Sequence, residues 1–111
     1  MDDCIFCKIA AHQIPSTVVY EDDKVIAFDD LAPQAPVHTL VIPKDHYANI
    51  IDGVPADVLA AMVNAVSEVA RAKGLDDGFR VIANTGEVAG QTVRHFHMHV
   101  LGGKPLGENL V

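Results

Sequence analysis

The chain has 111 residues, with 8 Lys and Arg against 15 Asp and Glu, so its formal charge is −7 with neutral histidines. That length fits one domain, and with half the residues apolar the chain has material for a core, unlike a disordered segment. The acidic balance and the lack of any Lys/Arg run argue against nucleic-acid binding, and no apolar run approaches the ~18 residues that span a membrane. One small anionic ligand is compatible with this charge. Met1-Asp2-Asp3 is the wrong start for a secretory signal, so a cytoplasmic location is expected. In that compartment two cysteines suggest a metal or redox site more than a disulfide.

No repeat or linker interrupts the chain, and one domain is expected across residues 1–111. Cys4 to Ala11 reads as a short helix or turn. After Pro15-Ser16, the β-branched run Thr17 to Glu21 predicts a strand, Asp22-Asp23 a turn and Val25 to Phe28 a second strand, together a hairpin. A proline-bearing loop from Leu31 to Pro36 leads to a third strand, Val37 to Ile42, with His38, Leu40 and Ile42 on one face and Val37, Thr39 and Val41 on the other. Pro55 opens a helix whose stripe is Leu59, Met62, Val66 and Val69, ending at Gly74. Phe79 to Ala83 and Thr92 to Leu101 predict the last two strands. Most of the connections are too short for parallel crossovers, so the expected fold is α+β, a five-stranded, largely antiparallel sheet with one long helix and a short N-terminal helix.

The chemistry concentrates in Arg94-His95-Phe96-His97-Met98-His99-Val100-Leu101. Alternate residues of a strand point the same way at a spacing of roughly 6.6 Å, so His95, His97 and His99 share one face and Phe96, Met98 and Val100 pack beneath the helix. Three readings fit that face: a solvated polar surface, a catalytic metal clamp completed by His38, or an imidazole nucleophile whose neighbours hold anionic oxygens.

The segment His95 to Gly103 resembles the His-φ-His-φ-His-φ-φ signature of the histidine-triad (HIT) superfamily, and the trailing Gly-Gly resembles its Hint branch of nucleoside phosphoramidases. Ile5-Phe6-Cys7-Lys8-Ile9, Ala27-Phe28-Asp29-Asp30, Pro33 to His38, Leu40 to Lys44, Asn84-Thr85-Gly86 and Gly90-Gln91 follow in the family's order, so the likeness spans nearly the whole chain. The resemblance implies a catalytic set in which His97 is the nucleophile and His99 and His38 flank the phosphate. It also implies a nucleoside site with Ile5, Phe6, Ile9 and Leu40 around the base and Asp30 on the ribose, and Asn84, Gln91 and Thr92 around the phosphate and leaving group. Core packing is the plainer role for Phe6, Ile9 and Leu40, and a cap on the turn at Gly86 for Asn84. His12, with no motif around it, reads as solvated.

Cys4-x-x-Cys7 is a redox pair, half of a zinc site, or two free thiols. The redox reading lacks a βαβ context. Superfamily resemblance implies the zinc set Cys4, Cys7, His46 and His95, a closed structural Cys₂His₂ site. A catalytic metal is not expected. The functional expectation is hydrolysis of purine nucleoside 5′-phosphoramidates, with an AMP or GMP moiety, through a nucleotidyl-His97 intermediate. The rivals are a diadenosine polyphosphate hydrolase, a metal enzyme, and a nucleotide-binding or protein-interaction module with incidental hydrolysis. Resemblance further implies a homodimer that joins two sheets into ten strands through the helix and the Phe79 to Ala83 strand.

Overall fold

The computed structural model describes residues 3–108. Its elements run α1 (Ile5–Ala10), β1 (Val18–Glu21), β2 (Val25–Asp29), β3 (Val37–Pro43), α2 (Ala56–Ala72), β4 (Arg80–Ile82), a 3₁₀ turn (Glu87–Ala89) and β5 (Met98–Gly102). The strands form one antiparallel sheet in the order β1-β2-β3-β5-β4, as the short connections require.

Each strand sends alternate side chains to opposite faces, and each face has its own helix. Val25, Ala27, Val41 and Val100 turn toward α2, whose Met62, Ala65, Val66 and Val69 cover them. Ile26, Phe28, Leu40 and Ile42 turn the other way, under Phe6, Ile9 and Ala10 of α1. The β1–β2 hairpin turns at Asp22, whose Oδ1 accepts from the backbone N–H groups of Lys24 and Val25 at 2.8 and 2.9 Å. Helix α2 starts directly after Pro55 and gives way to Gly74 at φ +68°, a conformation glycine adopts without strain. Gly102 is packing-limited: a Cβ there would lie 2.9 Å from Cδ2 of Leu75.

The fifth strand is shorter than the Thr92 to Leu101 expected. The last β3–β5 pair is Val41 with Met98, and the β3 strand ends at Pro43, which has no N–H to continue the ladder. The Phe96 N–H instead donates to the Tyr47 carbonyl at 2.6 Å. Thr92 to His97 is therefore a stretch of loop laid along the sheet, and of the three histidines only His99 belongs to the strand. The face assignment survives this change, because Phe96 and Val100 are buried in the α2 cluster while the histidines turn toward α1.

Candidate active site

The sheet brings His38 of β3 and His99 of β5 together, with His38 Nε2 and His99 Nδ1 2.8 Å apart. The Gln34 N–H donates to His38 Nδ1 at 2.9 Å. That bond fixes the tautomers in sequence: His38 keeps its proton on Nε2 and donates it to His99 Nδ1, so His99 carries its own proton on Nε2. His97 Nδ1–H donates to the His95 carbonyl at 2.7 Å, which leaves His97 Nε2 unprotonated with its lone pair. Burial lowers the pKa of His97 and pushes His99 down to about 4, and the neighbouring imidazoles of His97 and His38 add to the shift of His99 because a second proton there would be disfavoured. Both rings are neutral at pH 7. A nucleophilic imidazole nitrogen thus sits beside a ring that donates from its distal nitrogen.

His97 and His99 open onto a cleft of about 290 Å³ lined by Ile5, Phe6, Ile9, Leu40, Asp30 and Thr92, among others. The rings of Phe6 and His97 meet edge to face with centroids 5.1 Å apart. Asp30 stands at one end, with Oδ1 accepting from the Ala32 N–H and Oδ2 3.5 Å from His38 Nε2.

Two expected contacts are arranged differently. Gln91 is buried and does not reach the cleft: its Oε1 accepts from the Gly86 N–H, and its Nε2 donates to the carbonyls of Ala48 and Val93. A carboxamide between two loops is used up by their unpaired backbone groups, so Gln91 is a loop clasp. Asn84 donates to the Ala89 carbonyl and lies in a neighbouring cleft beside His38 and His99. His38 reaches the cleft through His99, since its N–H is committed to that ring.

Across α1 lies a second cluster. Cys4 Sγ is 3.4 Å from His95 Nδ1, and Cys7 Sγ is 3.4 Å from His95 Nδ1 and 3.3 Å from His46 Nδ1. All four ligand atoms lie within 4.8 Å of one another. A tetrahedral metal with sulfur at about 2.3 Å and nitrogen at about 2.05 Å gives sulfur–nitrogen edges of roughly 3.5 Å, so the residues fit such an ion. His95 Nε2–H donates to the Pro43 carbonyl at 2.8 Å, which turns the Nδ1 lone pair toward the sulfurs. Burial pushes His95 down to about 4 and, with Cys4 alongside, pushes the Cys7 thiol up to about 11. A cation would reverse that cost by favouring thiolate.

A family model described as the HIT domain matches residues 11–106. The chain belongs to the HIT family. A purine nucleoside phosphoramidase of Escherichia coli (strain K12) is 44% identical over 113 residues, covering 98% of this chain and 94% of that protein. A protein of Brassica juncea named 14 kDa zinc-binding protein is also 44% identical over 113 residues, covering 94% and 96%. Among solved structures, a HIT family hydrolase from Clostridium thermocellum superimposes with a TM-score of 0.94 at 45% identity, over 100% of this chain and 99% of that one. This HIT protein is accordingly a hydrolase, with the α+β fold of its family.

The sequence of this HIT protein carries no sign of three partners of the triad region: the Gln34 N–H, the Pro43 carbonyl and the Tyr47 carbonyl. They are backbone groups, which every residue has. Another contact, from Lys73 Nζ to Asp29 Oδ2 at 3.0 Å with Thr39 Oγ1 donating to Oδ1 at 3.0 Å, ties the end of α2 to the residue before Asp30. The adjacent acids Asp29-Asp30 were the available signal for it.

Proposed function

We propose that this protein hydrolyses purine nucleoside 5′-phosphoramidates through a covalent nucleotidyl-His97 intermediate. The observation that carries the reading is the tautomer chain, which leaves Nε2 of His97 as a free lone pair beside a donating His99. The apolar cleft suits a flat base, and Asp30 suits the vicinal ribose hydroxyls.

In the first step His97 Nε2 bonds to phosphorus and the P–N bond breaks, its electron pair leaving with the nitrogen, which takes a proton from water. The His99 Nε2–H donates to a phosphoryl oxygen as negative charge builds there. The adduct makes His97 an imidazolium, and the His95 carbonyl accepting from Nδ1–H stabilises that charge. In the second step water attacks phosphorus, the P–Nε2 bond breaks and the water proton passes to solvent. Nucleoside monophosphate leaves and His97 returns to its starting tautomer.

The Cys₂His₂ donors and their spacing suit zinc, which would be held by Cys4, Cys7, His46 and His95 and would contribute fold stability. Reduced thiols of this kind fit a cytoplasmic setting. A second copy would cover β4, an edge strand of three residues with Val81 and nearby Phe79 exposed.

Adenosine 5′-phosphoramidate is the test substrate, assayed with and without a strong chelator. Turnover that survives chelation is expected. Immediate loss of all turnover in a still-folded protein would overturn the reading in favour of a metal-dependent reaction.

A further inference from the structure

Cys4 and Cys7 bracket Ile5 and Phe6, and both of these residues line the cleft beside His97. Helix α1 is six residues long, too short to persist without its docking contacts. Two kinds of contact dock it. Phe6, Ile9 and Ala10 pack on the sheet, and the two sulfurs face His46 and His95. Cys4 Sγ also caps the helix by accepting from the Cys7 N–H at 3.3 Å.

Phe6 of α1 meets the ring of His97 edge to face, but the hydrogen bonds that hold the nucleophile lie elsewhere. His95 is fixed to Pro43, Phe96 to Tyr47 and His97 to His95, and none of those bonds involves α1. Removing an ion from the cysteine cluster therefore loosens one wall of the cleft, while the bonds to Pro43, Tyr47 and the His95 carbonyl still hold the loop that carries His97.

We propose that metal held by Cys4, Cys7, His46 and His95 positions the nucleoside, docking α1 so that Ile5 and Phe6 form the base slot and setting substrate affinity independently of the chemical step. The affinity part rests on the function proposed above; the docking part does not.

The test uses the full chain grown in zinc-replete medium, the same protein stripped with a chelator, and the Cys4→Ser/Cys7→Ser variant. Amide exchange at residues 5–10 should speed up without metal while β3 and β5 keep their protection. The dissociation constant for AMP and the KM for adenosine 5′-phosphoramidate should rise together by roughly tenfold, following the docked fraction, with kcat changing by less than about twofold. Zinc should restore the stripped protein and not the variant. Unchanged exchange and AMP affinity without metal would overturn the proposal, as would a fall in kcat at constant KM. Global unfolding of both metal-free forms would also overturn it, since the metal would then hold the fold and not the slot. Should no form turn over the phosphoramidate, the hydrolase reading fails and the exchange comparison still decides the role of the metal.

Discussion

His97 is a buried histidine with one ring nitrogen committed to the His95 carbonyl, and on the proposed mechanism the other attacks phosphorus. The hydrogen bond from Nδ1–H to the His95 carbonyl is local to the loop, so deleting the ring removes that bond and a Phe6 contact but no strand pairing. His97→Ala is expected to fold and to lose turnover by several orders of magnitude, the usual consequence of removing a nucleophile; steady-state kinetics beside a thermal melt would check both halves. Gln91 makes the opposite prediction. Its side chain satisfies a Gly86 N–H and two carbonyls, so Gln91→Ala is expected to lower stability by about 1–3 kcal/mol, the range for stranded buried polar groups. Urea denaturation would measure it, and an unchanged midpoint would show that water replaces the clasp at no cost. Side-chain identity made His97 and His99 visible in the sequence. What orients His97 and sets the tautomer of His38 is backbone, which side-chain patterns do not report.

At the scale of elements, periodicity was a good guide where a strand or helix has one environment throughout its length. Helix α2 begins at Ala56 after Pro55 with Met62, Val66 and Val69 buried as its spacing predicts, and β3 alternates between the two clusters. The segment Thr92 to Leu101 has two environments. Its second half pairs with β3, whereas its first half is drawn off by the Tyr47 carbonyl and the cysteine cluster, interactions between residues remote in sequence. Alternation persists through both halves, so the faces were legible and the strand boundary was not. The same separation governs metal removal. Chelation is expected to lower the melting temperature clearly while a nucleotidyl adduct still forms, because the cluster ties α1 to the loop and His97 lies outside it. Calorimetry with and without chelator, beside adduct formation, tests this; equal melting temperatures would remove the structural metal.

For the whole molecule, pH and assembly are the accessible variables. His99 is held at about 4 in the fold against about 6.5 for an unhindered imidazole. Between those values the unfolded chain binds the extra proton, so stability is expected to be level above about pH 6.5, to fall as pH drops toward 4, and to level again below as far as this group is concerned. Thermal midpoints across that range should slope less in His99→Gln than in wild type, and identical slopes would show that other groups set the acid limb. Sedimentation should give twice the 11.9 kDa chain mass, since β4 is an edge with Phe79 and Val81 exposed beside it. A fully active monomer at micromolar concentration would contradict that arrangement. The claim on which the rest depends is that the phosphoryl group passes through His97, and it is tested most directly by acid- or base-quenching the protein during a single turnover of adenosine 5′-phosphoramidate and mapping the mass increment by peptide. One nucleoside monophosphate on the peptide containing His97, absent from His97→Ala, is the predicted result. Product formed without any adduct at quench times within the turnover, or an adduct on another residue, would contradict it.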